Sequence, residues 1–370
     1  MSAPALTKLA ASLPTVVPFV GPEAIERQSG VKFQARLGAN ESAFGFSPAV
    51  LAAMAAAGAD SWHYGDPEVY ELRAAIGRHL GVAADEVTVG EGVDGVLGLC
   101  VRLFAAPGDI VVTSVGGYPT FNYHVAGFGA VLHAVPYRDD HEDLDGLLAA
   151  VHQTGAKLVY LANPDNPMGS WWPADKVTAF ADALPTTTLL LLDEAYGEFA
   201  PAGTLPPIDT SRANVLRLRT FSKAYGLAGI RCGYAVGARR LIAAFERVRN
   251  HFGVSSISQT AAIAALADQA HLQSVVQRTA QARERIAQIA RDNGLTPLPS
   301  ATNFVTIDCG GDGAFALAVL KNLADHGVFV RKPMAPGLDR CIRITAAPDD
   351  ALDLLEKALP PALLAARLER

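Results

Sequence analysis

The stretch Thr220-Phe221-Ser222-Lys223-Ala224-Tyr225-Gly226-Leu227-Ala228-Gly229-Ile230-Arg231-Cys232-Gly233 decides how this chain reads. It sets an amine, a hydroxyl and a guanidinium at fixed spacing in a glycine-rich loop. About thirty residues upstream an apolar run ends in Asp193-Glu194-Ala195-Tyr196, adding a carboxylate and a phenol. Each residue alone has an ordinary reading. A lysine in a loop is usually solvated, and an aspartate at a strand end is usually a turn or cap residue. Independent surface residues have no reason to keep this order and spacing.

Together these are the groups that hold pyridoxal 5'-phosphate (PLP). The Lys223 amine can condense with the aldehyde. The Asp193 carboxylate can pair with the pyridine nitrogen and keep the ring electron-poor. The Tyr196 phenol suits the ring hydroxyl. Thr220, Ser222 and Arg231 suit the phosphate, arginine by its planar fork of donors.

Working outward, apolar strand-like runs occur at 86–89, 110–114, 131–136, 158–162, 188–192, 215–219 and 233–236. Helical patterns separate most of them, at 95–105, 144–152 and 174–183, and two more, 49–57 and 68–80, come before. Apolar strands alternating with helices predict an α/β fold with a mostly parallel seven-stranded sheet covered on both faces. After residue 238 the rhythm changes to long helices at 239–250 and 255–293, the second broken near Ala270 and bridging two lobes. Strands at 303–308, 328–331 and 341–345, with a helix at 313–326, predict a smaller α+β lobe. The expected division is an N-terminal arm at 1–36 that associates with the small lobe, a large domain at 37–250 and a small domain at 251–370.

Size and composition agree. At 370 residues the chain exceeds what one core usually serves. The 31 basic and 37 acidic side chains give no polybasic signature, which argues against nucleic-acid partners. No apolar run reaches the length of a membrane span, and a proline-broken start with one lysine argues against a signal peptide. Cys100, Cys232, Cys309 and Cys341 are scattered without metal-ligand spacing, so no metal site is expected. They read as reduced thiols in a cytoplasmic protein.

The chain resembles the class I and II aminotransferases, PLP enzymes of fold type I, and within them the histidinol-phosphate aminotransferase group. The resemblance runs from about residue 35 to 350. It is carried by Gly38-Ala39-Asn40-Glu41-Ser42, Tyr64-Gly65-Asp66-Pro67, Glu91-Gly92-Val93-Asp94, Tyr118-Pro119-Thr120, Asn163-Pro164-Asp165-Asn166-Pro167-Met168-Gly169, the aspartate and lysine motifs, and Arg343-Ile344-Thr345. It implies an aspartate aminotransferase-like fold and a homodimer with shared active sites.

The resemblance also assigns residues. Lys223, Asp193 and Tyr196 are the catalytic group. Gly92, Val93 and Asp94 meet the cofactor phosphate at a helix start, which oriented N–H groups favour. Tyr118 stacks on the ring, Asn166 bonds the ring hydroxyl, and Tyr64 reaches the partner subunit's phosphate. Arg343, Arg331 and Asn40 serve the substrate: Arg343 the α-carboxylate and Arg331 a distal anion. The implied reaction moves an amino group from an amino acid or from histidinol phosphate to a 2-oxo acid. Relatives of the same fold that decarboxylate, cyclise or oxidise amino acids stay open as alternatives. Three departures from the family pattern, at Asp165, Met168 and Gly95, are followed by Trp171-Trp172 and bear on substrate preference rather than on the cofactor.

Overall fold

The computed structural model describes residues 4–15 and 20–369. Positions 1–3 and 16–19 of the expected arm lie outside them. The first elements are helices α1 (Lys8–Ser12) and α2 (Pro22–Ser29), strand β1 (Ala35–Arg36) and helices α3 (Pro48–Ala59) and α4 (Tyr70–Leu80). The main sheet is built from β2 (Val87–Gly90), β3 (Ile110–Ser114), β4 (Val131–Val135), β5 (Leu158–Ala162), β6 (Leu189–Asp193), β7 (Val215–Thr220) and β8 (Gly233–Gly237). Between these strands lie α5 (Gly92–Phe104), α6 (Pro119–Gly127), α7 (Leu144–Thr154) and α8 (Ala174–Ala183).

The strand order is β2-β8-β7-β6-β5-β3-β4. The pairs among β3 to β7 are parallel, whereas β8 runs antiparallel to both β7 and β2. The sheet is therefore mostly parallel and seven-stranded, as expected. Its central strands β5 and β6 are almost wholly apolar because both faces are covered. Leu189 and Leu191 pack with Val96, Leu97 and Phe121 of α5 and α6 on one face. Leu190 and Leu192 pack with Leu147, Val151 and Phe180 of α7 and α8 on the other. This two-residue alternation places Asp193 on the α5 side, the side of Tyr160.

The second half contains α9 (Arg239–Ala244), α10 (Ser256–Ala267), α11 (Gln269–Asp292), β9 (Thr296–Pro297), β10 (Phe304–Asp308), α12 (Gly313–Asp325), β11 (Val328–Phe329), β12 (Cys341–Thr345) and α13 (Asp349–Leu368). Strands β12, β10 and β9 form an antiparallel sheet, and β1 pairs in parallel with β11. Ile342 and Ile344 face a core shared with α11, α12 and α13. The residue between them, Arg343, points the other way, as the alternation requires.

The long helical run breaks at Asp268, whose carboxylate caps α11 by accepting from the N–H of His271 at 3.0 Å. Helix α10 packs on α3 and α4. Helix α11 starts in that same cluster with Leu272 and Val275 and ends in the small-lobe core with Ile286 and Ile289. We propose that the lobes divide along α11, rather than at residue 250 as the sequence suggested. Within the arm Arg36 forms ion pairs with Glu23 and Glu26 of α2, and β1 joins it to β11.

Candidate active site

Strands β3, β5, β6 and β7 all end on one edge of the sheet, where open α/β folds place their ligands. The segments after them carry Tyr118, Asn166, Asp193 and Lys223. These residues line a cavity of about 500 Å³ between the lobes. Gly38, Asn40, Arg331 and Arg343 close it from the small-lobe side.

Asp193 is 5% exposed. Its Oδ2 accepts from the Tyr160 hydroxyl at 2.7 Å and its Oδ1 from the Ala195 N–H at 2.9 Å. Burial raises its pKa, and these two hydrogen bonds pull it back down. Tyr160 was not foreseen from the sequence. A phenol in the apolar run Leu158–Ala162 was the signal, since a buried tyrosine hydroxyl needs a partner. The register pairs Tyr160 with Leu191 and Ala162 with Asp193, so Tyr160 and Asp193 share a face.

Lys223 donates from Nζ to the Asn40 carbonyl at 3.0 Å, and its ammonium group lies 5.5 Å from the centre of the Tyr196 ring. Burial, aided by the Arg343 charge, lowers its pKa to about 8. Asn40 has a positive φ of 56° and is a hub. Its Nδ2 donates to the Tyr196 hydroxyl at 3.0 Å, its Oδ1 accepts from Thr345, and its carbonyl also accepts from Asn303. Burial pushes the Tyr196 phenol up, so it stays protonated at neutral pH and keeps an O–H to donate.

At the start of α5 the first N–H groups have no partner within the helix. Gly92 takes a φ of +75°, and a Cβ there would stand 2.5 Å from Arg231 Nη2. A side chain at Gly233 would collide with the Val93 nitrogen. The glycines thus let a guanidinium and a helix N-terminus converge, which is a cradle for an anion. Arg231 donates to the Ala228 carbonyl at 2.9 Å and reaches Ser222 Oγ at 3.5 Å. Thr220 Oγ1 accepts from the Ser222 N–H at 3.0 Å and fixes the loop. The Asp94 carboxylate is held by His124 at 3.0 Å, so Asp94 meets an anion through its backbone.

Arg343 forms no ion pair among the described residues, and its Nε is buried without a hydrogen-bond partner. Its other nitrogens donate to Asn166 Oδ1 and to the Gly38 carbonyl, and its guanidinium lies 5.1 Å from the Phe304 ring centre. Burial, then the charge of Arg331, lowers its pKa to about 10. Arg331 is bridged to Arg343 through the backbone and donates to the Val20 carbonyl at 2.9 Å. An uncompensated guanidinium facing a cavity is a receptor for a carboxylate or phosphate.

The expected residues line the cavity except Gly92, which lies behind Arg231, and Tyr64. Tyr64 is 84% exposed, packs its ring at a tilt against Phe252 with centroids 4.8 Å apart, and lies outside the cavity lining. Asn166 lines the cavity but commits its carboxamide oxygen to Arg343. Two of the departures from the family pattern, Asp165 and Met168, sit behind the wall, and Gly95 lies in the first turn of α5. Met168 is buried against Leu338 and Cys341, and Asp165 accepts from the Tyr137 hydroxyl and the Met168 N–H. Trp172 is bonded to Asn163 and Glu142.

A family model described as aminotransferase class I and II matches residues 33–359. The chain belongs to the class I and II aminotransferases. It is an aminotransferase. Histidinol-phosphate aminotransferase 1 of Bacillus cereus is 34% identical over 353 residues, 94% of each chain. The crystal structure of histidinol-phosphate aminotransferase from Sinorhizobium meliloti, in complex with PLP, is 57% identical. It covers 98% of each chain with a TM-score of 0.95. Aspartate aminotransferase from Thermus thermophilus, at 21% identity and a TM-score of 0.82, shares the fold. These relatives lend no support to a decarboxylase, cyclase or oxidase.

The charge balance of the cavity can be measured directly. In the cofactor-free protein, Lys223 should titrate near pH 8 when followed by carbon-13 reductive methylation. Arg343→Gln removes the second cause of the shift and should move the titration upward. A Lys223 that titrates at the ordinary 10.5 in both proteins would contradict this electrostatic description.

Proposed function

We propose that this aminotransferase moves the amino group of histidinol phosphate to a 2-oxo acid such as 2-oxoglutarate, with PLP as cofactor. The observation that carries the reading is the convergence of Lys223, Asp193 and the uncompensated Arg343 on one cavity. The likeness to a histidinol-phosphate aminotransferase at 57% identity supports the choice of donor.

When bound, PLP supplies an aldehyde that condenses with amines and a protonated ring that draws electrons from the substrate Cα–H bond. The anion cradle of Gly92, Val93, Asp94, Ser222, Thr220 and Arg231 takes its phosphate. Asp193, fixed by Tyr160 and Ala195, answers the ring nitrogen. Tyr118 covers the ring, and Tyr196 with Asn166 orients the ring hydroxyl. Lys223 Nζ carries the Cα proton, and its lowered pKa keeps a useful fraction of neutral amine at physiological pH. Arg343 and Arg331 hold the substrate anions. Histidinol phosphate has no α-carboxylate, so its phosphate uses this cationic space in one half-reaction. The 2-oxo acid places its carboxylates there in the other. One pocket thereby serves two substrates in turn, which requires ping-pong kinetics.

The test is a two-substrate assay of wild type and Arg331→Ala. Wild type should convert histidinol phosphate and 2-oxoglutarate to glutamate with parallel reciprocal plots. Arg331→Ala should raise KM for phosphorylated and dicarboxylic substrates with little change for neutral donors. Equal losses with every donor would reject the divided anion site. No turnover of histidinol phosphate would reject the substrate.

The functional unit we infer is a homodimer in which Tyr64 completes the partner subunit's phosphate site. Tyr64, Trp62, Tyr70 and Phe252 are all exposed aromatics, and patches of this kind mark interfaces. Four unpaired, buried cysteines support a reducing cytoplasmic location. Mixing inactive Tyr64→Ala and Lys223→Ala proteins should restore about one working site per heterodimer. A fully active monomer by light scattering would defeat the shared site.

A further inference from the structure

Glu142 is a buried acid that no step above uses. It is 1% exposed and follows β4. Its Oε2 accepts from the N–H of Ala162 at 3.1 Å, and Ala162 is the residue that the β5–β6 register sets against Asp193. Its Oε1 is buried with no hydrogen-bond partner, and so are the hydroxyls of Thr113 and Ser114 at the end of β3. A Cβ on Gly117 would stand 3.3 Å from Thr113 Oγ1 and 4.0 Å from Glu142 Oε1, so both lie against one glycine. The Ser114 hydroxyl faces the same carboxyl group and, when it donates to it, works against the effect of burial without cancelling it.

An ionised carboxylate at such depth needs a cation or several donors. Glu142 receives one backbone N–H, has the Ser114 hydroxyl beside it as a second donor, and has no ion pair among the described residues. The titratable groups around it are Asp165 after β5, Asp193 on β6, and the phenols of Tyr137 and Tyr160. His141 precedes it, and the charges of His141 and Arg343 act on Asp165. Two acidic neighbours and no bonded cation make the charged form unfavourable. Burial, then the Asp165 charge, accordingly raises the Glu142 pKa well above the carboxylate range.

We propose that Glu142 is a positioning residue that works as a neutral carboxylic acid. Its carbonyl oxygen accepts from the Ala162 N–H, and its O–H donates to the Ser114 or Thr113 hydroxyl. The ends of β3 and β5 are thereby pinned together beside Asp193. No second charge then arises next to Asp193, where a like charge would favour its protonation and weaken it as the partner of the ring nitrogen. The proposal rests on the role given to Asp193 above.

Wild-type and Glu142→Gln holoenzymes should be compared by infrared spectroscopy at pH 8 and by steady-state kinetics. The neutral-acid C=O stretch should be present in wild type and missing in Glu142→Gln. The amide keeps an acceptor and a donor, so kcat should stay within about threefold. Glu142→Ala should lower kcat by about tenfold with little change in KM, the size expected for one lost buried hydrogen bond. If Glu142→Ala does not fold, the infrared band and the Glu142→Gln kcat decide. The band needs no turnover, so it separates this proposal from the choice of substrate. A missing acid band in wild type overturns the proposal, as does a Glu142→Gln loss of tenfold or more, or a Glu142→Ala enzyme as active as wild type.

Discussion

The structure depends on keeping one carboxylate, Asp193, charged and aimed in the interior. Burying an anion without partners costs far more than one interaction returns. The fold meets that cost locally. The strand end supplies the Ala195 N–H, and the neighbouring strand supplies the Tyr160 hydroxyl. Both donors are set by backbone register, so the carboxylate orientation is as rigid as the sheet. In the function proposed above, the protonated ring of PLP would supply the opposite charge.

Around that buried anion, and beside Glu41 and Asp94 at the cavity wall, the lining is rich in cations. The chain carries a net charge of −6, yet Arg231, Arg331, Arg343 and Lys223 all face the same cavity. In the function proposed above, the cations receive substrate and cofactor anions. They also act on the lysine, whose burial and proximity to Arg343 hold it near pH 8. A solvated lysine would stay charged and could not accept a proton. The same desolvation that makes Arg343 a strong anion receptor thus prepares Lys223 as a base. Asn40 joins the two halves, since it touches Lys223, Tyr196 and the Thr345 strand.

Much of this was legible in the sequence because it is local. The seven sheet strands fall within about a residue or two of their apolar runs, since buried parallel strands are continuous and short. Lys223, Ser222 and Arg231 sit in one loop and Asp193 at one strand end, so their order and spacing, with the family resemblance, singled them out as residues that the structure places around one cavity. What stayed hidden is either weakly patterned or long-range. Helix α6, Pro119–Gly127, was missed because its aromatic and polar residues show little sidedness. The strand expected at 328–331 ends at Phe329, because Arg331 makes only a single bridge to Arg343. Tyr160, Asn303 and Glu142 act across separations of 33, 263 and 20 residues, which no local pattern encodes. Asp165 and Met168, whose departure from the family pattern left substrate preference open, brace the turn behind the cavity wall.

The central claim is that the charge of Asp193, and not merely its shape, drives the chemistry. Asp193→Asn tests it most directly, because the amide keeps the size and an acceptor for Tyr160 but cannot carry the charge. Cofactor content by absorbance and kcat for the overall reaction should be measured on the same preparation. The expected result is a protein that still holds PLP through the phosphate cradle while kcat falls by at least about 10²-fold, or about 2.7 kcal/mol in the barrier. A variant with full cofactor and kcat within about tenfold of wild type, or about 1.4 kcal/mol, would show that another group answers the ring nitrogen and would contradict the account.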